Sequence, residues 1–230
     1  MQLDGKRSLI TGAGSDGIGR AVARSFADAG ARVAIHHLDQ SNEALKLARE
    51  IGKNGTAVPC FDGDFVNAKN ARRVVRDATS ALGGLDILVH CAATLKRTPF
   101  LQISDKEWSN IQAVNLHGAF AVGQEAARSM ANAKNGGRII YISSVNQDHP
   151  TINLAHYVAS KGGVKMLARS MAIELAQLGI TVNLVAPGTV ETDLNRADLS
   201  DANFRRSKLE MIPIDRIADP AEIAGAALYL

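Results

Sequence analysis

A tyrosine and a lysine stand four positions apart in a stretch that is predicted to begin a long helix. Tyr157 and Lys161 would share one face of this helix, which is predicted over residues 157–178. A lysine ammonium near a phenol favours the phenolate, so we expect the pKa of Tyr157 to fall from about 10 toward neutral pH. Tyr157 is therefore a candidate general acid or base, and Ser144, at the end of an apolar strand-like run, can bring a hydroxyl to the same place. A Tyr-Lys pair on a helix is also common on plain protein surfaces, so its role depends on the elements around it.

A glycine-rich turn near the N-terminus is a second candidate site. The sequence GAGSDGIG directly follows the apolar run Arg7–Thr11 and precedes a helix predicted over residues 20–29 and a strand over residues 32–35. In such a unit, glycines let the backbone approach a pyrophosphate, and the helix N-terminus offers free amides. The turn residues that are candidates for dinucleotide binding are Gly12, Ser15, Gly17, Ile18 and Gly19.

The composition argues against several classes of function. The 230 residues are 46% hydrophobic but only 4% aromatic, which suits an aliphatic core of helices packed on a parallel sheet. The net charge is +3, and no Lys/Arg run exceeds two residues, which argues against nucleic acid as a partner. No apolar run approaches the roughly 20 residues that span a bilayer, and the two cysteines suggest neither a disulfide framework nor a metal site. Charged residues occur within the first six positions, so we expect a cytoplasmic protein without membrane contact.

Apolar segments of strand length and helix length alternate along the whole chain. Further strands are predicted over residues 57–61, 85–90, 138–143 and 181–185, and further helices over residues 42–51, 68–82, 108–130 and from about 220. This alternation implies right-handed crossovers and one parallel sheet. We therefore predict an α/β fold, a Rossmann-type doubly wound parallel sheet with helices on both faces, in a single domain over residues 1–230. The polar segment 189–212 breaks the alternation and is predicted to cover the site.

Motifs in several parts of the chain occur together in a recognisable order. Thr11–Gly19 resembles a cofactor turn, and Pro187-Gly188 followed by Thr192 resembles a segment that closes on a nicotinamide. With the spacing of Tyr157 and Lys161, these motifs resemble the short-chain dehydrogenase/reductase family over essentially the whole chain. By this resemblance, the other positions that match the family's catalytic and cofactor-binding residues are Asp64, Ala92, Asn115, Ser144 and Val190.

The resemblance implies roles for the catalytic residues. Tyr157 would exchange a proton with an alcohol while hydride passes to or from a nicotinamide cofactor, and Ser144 would hydrogen-bond the substrate oxygen. Lys161 would lower the pKa of the tyrosine and hold the cofactor ribose, and Asn115 would anchor a water relay to solvent.

The chain departs from the family pattern at three places. Five positions instead of four separate Gly12 from Gly17, so the tip of the turn is longer by one residue. His90 and Cys91 stand in the segment that resembles the family's Asn-Asn-Ala-Gly, and we interpret them as buried packing at a strand end rather than as a metal site or a nucleophile. The family's last strand is absent beyond Leu230, where the chain ends inside a predicted helix, so either a partner covers this end or the sequence is incomplete.

The choice between NAD and NADP depends on the end of the second strand. NAD-selective members place an acidic residue there to bind the ribose 2′-hydroxyl. By our register this position is His37, with Asp39 two residues later. His37 can accept a 2′-phosphate, although no arginine stands beside it, so we expect NADP to be favoured slightly and NAD to be accepted.

The segment between Ser144 and Tyr157 is predicted to read the substrate. It is polar at residues 146–149 and at His156, and with the stretch after Pro187 it resembles the aldose 1-dehydrogenases, glucose and rhamnose 1-dehydrogenases among them. A polar pocket suits a polyhydroxylated substrate, so oxidation of an aldose to its lactone is the first interpretation.

Two alternatives stay open at this point. The first is a 3-oxoacyl-(acyl-carrier-protein) reductase, whose acidic partner could meet a basic surface of Arg128, Arg169, Arg205 and Arg206. The second is a dinucleotide-binding sensor without catalysis. By family resemblance we also expect a homodimer or homotetramer, with an interface on the long helices that begin near Trp108 and Tyr157.

Overall fold

Six parallel strands form one sheet in the computed structural model, which describes residues 2–52 and 57–230. The strands are β1 (Arg7–Thr11), β2 (Arg32–His37), β3 (Cys60–Asp62), β4 (Ile87–His90), β5 (Gly137–Ile142) and β6 (Ile180–Val185). Their order in the sheet is β3-β2-β1-β4-β5-β6. The central strand is in parallel register on both sides, with Leu9 opposite Ala34 and Leu88. The sequence-based prediction of a Rossmann-type sheet is confirmed.

Helices follow the strands and cover both faces of the sheet. They are α1 (Ile18–Asp28), α2 (Ser41–Ile51), α3 (Ala68–Leu82), α4 (Asp105–Gln112), α5 (Gly118–Ala133), α6 (Ala155–Leu175), α7 (Arg196–Leu199), α8 (Ala202–Leu209) and α9 (Pro220–Tyr229). On one face, Val74 of α3 and Val122 of α5 are fully buried, and on the other face Phe26 of α1 and Leu47 of α2 are. Burial of such a side chain contributes roughly 1.5–3 kcal/mol, which explains the almost unbroken apolar runs of the strands.

The strand order determines where a ligand can bind. β1 has β2 on one side and β4 on the other. The connection after β1 therefore leads to one side of the sheet, and the connection after β3 crosses to the opposite side. In sheets of this type, the crevice beyond the carboxyl ends of the strands at such a reversal is the ligand site. The glycine-rich turn after Thr11 and the segment after His90 meet at this point.

Three elements differ from the sequence-based prediction. The helix that was predicted over residues 108–130 starts earlier, where Ser104 accepts a hydrogen bond from the Glu107 amide at 3.2 Å, and a π-helical turn at Ala113–His117 interrupts it. β2 continues to His37, beyond the predicted end at residue 35. The segment 189–212, for which no helix was predicted, contains the short helices α7 and α8, and Asp201 caps α8 by accepting from the Phe204 amide at 2.8 Å.

A bidentate ion pair joins the beginning of β1 to the segment before β4. Arg7 donates from Nε to Oδ2 of Asp86 at 2.8 Å and from Nη2 to Oδ1 at 2.7 Å, and its backbone amide donates to Oδ2 at 2.9 Å. Both side chains are partly buried. The guanidinium hydrogen bonds hold the pKa of Asp86 below its usual value.

We expect Asp86→Asn to lower the free energy of unfolding by about 2 kcal/mol at neutral pH, since a partly buried charge-assisted hydrogen-bond pair is lost. Because the pKa of Asp86 is lowered in the folded state, its contribution is present above the unfolded value of about 3.9 and is lost as pH falls through the folded value. Urea unfolding curves of both proteins should therefore converge in acid. Asp77→Asn is the control, because Asp77 forms an exposed pair with Arg73 worth about 0.5 kcal/mol or less. An Asp86 variant no weaker than this control at pH 7 would contradict the assignment.

Candidate active site

The turn between β1 and α1 is packed so closely that Gly12, Gly14 and Gly19 have no room for a side chain. Gly12 has φ of +66°, and a Cβ there would lie 2.9 Å from the Cα and the amide nitrogen of Ala92. A Cβ on Gly19 would lie 2.3 Å from the carbonyl oxygen of Gly12. The backbone of the turn therefore lies directly on the segment after β4 and on the first turn of α1, which points its N-terminal amides into the crevice.

A buried histidine holds this turn from below. The amide of Gly12 donates to Nδ1 of His36 at 3.2 Å, and Nε2 of His36 lies 2.8 Å from the carbonyl oxygen of Gly63. These contacts assign the proton of the neutral ring to Nε2. Burial lowers the pKa of His36 to about 4, and its ring stacks on Phe65 at 4.0 Å. His36 thus connects the glycine turn to the segment that carries Asp64. Sequence reasoning missed it, although the alternation of side chains along β2 already separates His36 from His37.

A cavity of about 530 Å³ lies above the carboxyl ends of the central strands. This volume is within the range of roughly 300–1,000 Å³ that is typical of small-molecule sites. The sequence-predicted cofactor residues that line it are Gly12, Ser15, Gly17, Ile18, Gly19, Asp64, Ala92 and Thr192. The glycines, the N-terminus of α1 and the cavity size together fit a nicotinamide dinucleotide.

His37 occupies a different place from the one that its sequence position suggested. It belongs to β2, is almost completely buried, and its Nδ1 lies 3.2 Å from Oδ1 of Asp62. A Cβ on Gly14 would lie 2.6 Å from the Cβ of His37, so the glycine turn packs over it. The residues from this strand end that line the cavity are His36, Leu38 and Gln40. The difference arises because β2 is two residues longer than predicted.

Two of the catalytic candidates line a second cavity of about 440 Å³ that adjoins the first. Ser144 and Tyr157 line it, and so do the predicted cofactor residues Pro187, Gly188, Val190 and Thr192. Ile18, Thr192 and Leu194 belong to the walls of both cavities, so the two spaces meet at these side chains. The structure therefore brings Ser144, Tyr157 and the predicted cofactor-binding residues other than His37 to the walls of two neighbouring cavities, whereas Lys161 and Asn115 line neither of them.

Tyr157 and Lys161 are both buried on the first turns of α6. Nζ of Lys161 donates to the carbonyl oxygen of Ile142 at 3.1 Å and lies 5.6 Å from the centre of the Tyr157 ring. Burial raises the pKa of Tyr157 to about 12, and a hydrogen bond with the Ser144 side chain opposes this increase. Burial also lowers the pKa of Lys161 to about 8. The expectation that Lys161 brings the tyrosine pKa toward neutrality is therefore wrong for the protein alone, because the loss of hydration disfavours both charged forms.

Asn115 lies in the π-helical turn between α4 and α5. Its Oδ1 accepts from the amide of Thr94 at 2.8 Å, and its Nδ2 donates to the carbonyl oxygen of Thr94 at 2.9 Å and to Oγ of Ser160 at 3.2 Å. The side chain thus joins the segment after β4 to α6, one residue before Lys161. π-Helical turns are rare and occur frequently at functional sites. The water relay through Asn115 stays a prediction.

His90 is buried at the end of β4, as the sequence suggested, whereas Cys91 is only partly buried and lines the first cavity. Oγ1 of Thr11 accepts from the amides of Cys91 at 3.1 Å and Ala92 at 3.2 Å, and it lies 3.0 Å from Nδ1 of His90. Burial raises the pKa of the Cys91 thiol to about 12, so it is not a thiolate nucleophile near neutral pH.

Within the described residues, no group of three or more His, Cys, Asp or Glu side chains could hold a metal ion. No helix in the same residues is long and apolar enough to cross a membrane.

Asp16, in the lengthened glycine turn, contacts the segment 189–212 that was predicted to cover the site. The Asp16 amide donates to Oδ2 of Asp193 at 2.7 Å, and the Asp193 amide donates to the carbonyl oxygen of Asp16 at 2.9 Å. Arg196 completes the cluster, with Nη2 at 2.7 Å from Oδ2 of Asp16 and Nη1 at 3.1 Å from Oδ1 of Asp193. Asp16 and Asp193 both line the cofactor cavity. The longer turn therefore attaches the covering segment to the edge of the cavity.

Comparisons with known proteins assign the class of this arrangement. A family model described as "Enoyl-(Acyl carrier protein) reductase" matches residues 12–230. The chain is 36% identical to the L-rhamnose-1-dehydrogenase of Scheffersomyces stipitis, over 99% of this chain and 89% of that protein. It is 37% identical to the 3-oxoacyl-(acyl-carrier-protein) reductase of Vibrio cholerae, over 100% of this chain and 91% of that protein.

A solved structure agrees with these relatives. The gluconate 5-dehydrogenase of Burkholderia cenocepacia, in complex with NADP and tartrate, superimposes with a TM-score of 0.91 at 37% identity, over 99% of this chain and 88% of that one. The chain belongs to the short-chain dehydrogenase/reductase family and is an NAD(P)-dependent oxidoreductase.

We expect Asp16→Asn to weaken the attachment of the covering segment, because it removes the charge that Arg196 contacts. The ion pair is exposed, so KM for the cofactor should rise only roughly two- to fivefold, with kcat little changed. Steady-state kinetics at low and high salt would measure this, and the difference from wild type should shrink as salt screens the pair. Asp77→Asn is the matched control, because Asp77 forms an exposed ion pair with Arg73 and lines neither cavity. A change in kcat with an unaltered cofactor KM would show that Asp16 acts in another way.

Proposed function

We propose that the protein oxidises the C1 hydroxyl of an aldose to the corresponding lactone with a nicotinamide dinucleotide. The observation that carries this proposal is the polar wall of the cavity beside Tyr157. Asn146 and Thr151 line this wall, and Oγ1 of Thr151 donates to Oδ1 of Asn146 at 2.7 Å, so their polar groups are held in place. Fixed donors and acceptors favour a ligand with several hydroxyl groups and reject analogues that lack them.

The relatives support a sugar substrate without deciding it. The Scheffersomyces stipitis enzyme is a rhamnose 1-dehydrogenase, and the Burkholderia cenocepacia enzyme is a gluconate 5-dehydrogenase. The Vibrio cholerae enzyme, at similar identity, acts on an acyl chain bound to a carrier protein. The alternative of a carrier-protein reductase is thus supported by a relative at similar sequence identity.

Ion pairs on the surface favour the sugar over the carrier protein. Arg205, a candidate for binding an acidic carrier, donates from Nη1 and Nη2 to Oε2 of Glu191 at 3.1 Å. Arg128, another candidate, lies 3.6 Å from Oε2 of Glu125. Because carboxylates of the chain itself accompany these arginines, they offer less positive potential to an acidic partner than the sequence suggested.

When bound, the dinucleotide would supply the hydride acceptor for oxidation at C1, and the C1 hydroxyl would give its proton to the protein, which leaves the carbonyl of the lactone. Tyr157 is the group that receives this proton, and Ser144, its hydrogen-bond partner, would hold the substrate oxygen. Protonated Lys161 on the same side of α6 would stabilise the phenolate and hold the cofactor ribose. Asn115, held by Thr94 and Ser160, would keep a water path open between this lysine and solvent.

The cofactor-binding residues would divide the dinucleotide among them. Gly12, Ser15 and the amides of Gly17, Ile18 and Gly19 would hold the pyrophosphate at the start of α1, and Asp64 would contact the adenine. Ala92 would pack on the adenosine ribose side. Pro187, Gly188, Val190 and Thr192 would close on the nicotinamide. This assignment uses the walls of both cavities.

The end of β2 supports a slight preference for NADP. Leu38 and Gln40, the residues beyond the strand that line the cavity, carry no negative charge that would repel a 2′-phosphate. Nη2 of Arg20 lies 2.7 Å from the carbonyl oxygen of Gly14, which places a guanidinium beside the turn. This arginine was not foreseen because it is distant in sequence from His37.

We also propose that the protein is cytoplasmic and forms a homodimer or homotetramer through α4, α5 and α6. Trp108 of α4 and Met166 and Ile173 of α6 are exposed, which suits an interface between copies. Domain organisation follows the same proposal, with residues 189–212 as a substrate loop of one dinucleotide-binding domain.

A substrate panel tests the proposed function. Aldoses and a short 3-oxoacyl thioester are supplied with both nicotinamide cofactors, and absorbance of the reduced cofactor is followed. We expect turnover of aldoses and little of the thioester. Tyr157→Phe should lower kcat by about a hundredfold to ten-thousandfold while cofactor affinity is preserved, because only the proton-accepting hydroxyl is removed. Turnover of the thioester alone would replace the sugar proposal with the reductase, and a variant with unchanged kcat would point to a sensor.

Cofactor preference is tested at Leu38, which follows β2 and lines the first cavity. Leu38→Asp should lower the ratio of kcat/KM for NADP to that for NAD by about tenfold or more, since a carboxylate there repels a 2′-phosphate and can bind a 2′-hydroxyl. Leu45→Asp places the same charge on the exposed face of α2 and should leave the ratio unchanged. If both variants change the ratio equally, the 2′-group is not read at Leu38.

A further inference from the structure

The cavity that Ser144 and Tyr157 line is called the substrate cavity here, and apart from Tyr157 its ionisable side chains are all basic. Among the described residues that line this cavity, the ionisable groups other than Tyr157 are Arg97, His149 and Lys208. They come from three separate segments: the connection after β4, the segment after Ser144, and α8. A cavity lined by basic groups alone attracts an anion more than a neutral polyol.

Two of these cations meet on one aromatic ring. Cζ of Arg97 lies 4.8 Å from the centre of the Phe204 ring, and Nζ of Lys208 lies 5.2 Å from it. The ring attracts both cations, which holds the connection after β4 against α8. Besides burial, the charge of Arg97 lowers the pKa of Lys208, so the two cations lie close enough to repel each other, a cost that nearby negative charge would reduce.

Only part of this positive charge is compensated by the protein. Nε of Arg97 donates to Oδ2 of Asp198 at 2.7 Å. In the part of the chain that the structure describes, the Nη groups of Arg97 make no further hydrogen bond, and no carboxylate lies within ion-pair distance of Lys208. Burial and the charge of Arg97 lower the pKa of Lys208, and Asp198 opposes this only in part.

His149 contributes less. It is exposed, and the neighbouring Asp148 forms an ion pair with Lys165, so carboxylate charge lies next to it. Arg97 and Lys208 remain as the pair that can present a guanidinium fork and an ammonium to one anionic group.

We propose that the substrate of this cavity carries an anionic group, a carboxylate or a phosphate ester, at the end remote from the oxidised carbon, and that Arg97 and Lys208 bind this group. The inference rests on the proposed function, because it places the oxidised carbon at Tyr157. The substrate would then be an acidic aldose, such as a uronate or an aldose phosphate. The oxidation at C1 is unchanged, and the anion takes no part in the electron balance.

The experiment compares sugars that differ only in charge. Values of kcat/KM are measured for glucuronate against glucose, and for glucose 6-phosphate against glucose, so that the two arms distinguish a carboxylate from a phosphate. Wild type should prefer at least one anionic member by about tenfold or more. Lys208→Gln and Arg97→Gln should each bring this ratio toward one, and Arg206→Gln, a loss of charge on the exposed side of the same helix, should not.

Failure of the inference and failure of the proposed function give different results. If aldoses are oxidised and the neutral members are used as well as the anionic ones, the anion site is refuted and the sugar oxidation stands. If no aldose is oxidised, the proposed function is refuted, and titration of gluconate and sorbitol into the protein with reduced cofactor decides the anion site separately. Tighter binding of gluconate by about tenfold, lost in Lys208→Gln, supports the site, and equal affinity for both ligands overturns it.

Discussion

The contact between the glycine turn and the segment after β4 is the constraint on which the site depends. Because a hypothetical Cβ on Gly12 would lie 2.9 Å from the backbone of Ala92, the turn is closely packed between β1, β4 and α1. This contact fixes where α1 begins and thus where its amides point. The side-chain hydroxyl oxygen of Thr11 accepts hydrogen bonds from the amides of Cys91 and Ala92 and so holds the other side of the same junction. The base of the crevice at the reversal of strand order is therefore closely packed.

The covering segment is held in a different way. It carries α7 and α8 and is joined to the rest of the protein by the buried side chains of Val190 and Leu199 and by backbone hydrogen bonds to Ala218. Exposed ion pairs and a cation on an aromatic ring add to these contacts: Asp193 and Arg196 meet Asp16, and Phe204 and Asp198 meet Arg97. These groups are partly exposed, so each contact is weak alone. A closely packed turn beside a segment that is held partly by exposed ion pairs suits a site that must admit and release ligands.

The sequence was sufficient for the fold and for most of the site because the signals there are local. The strand runs, the glycine turn and the four-residue spacing of Tyr157 and Lys161 each depend on neighbouring residues. The sequence was insufficient where the packing brings distant residues together. His36 bonds to Gly12 and Gly63, and Arg196 pairs with Asp16 from 180 positions away. The tyrosine pKa was misjudged for the same reason, since the extent of burial is a property of the tertiary structure.

The neutral state of His36 has a consequence for the range of conditions that the protein tolerates. Burial lowers the pKa of His36 to about 4 and that of His90 to about 3, whereas in an unfolded chain both would titrate near 6.5. Between these values the unfolded chain binds protons that the native one refuses, so mild acid progressively favours unfolding. Above about 7 both rings are neutral in either state and exert no such effect. The two rings beneath the crevice thus give this fold an intrinsic preference for neutral and alkaline surroundings.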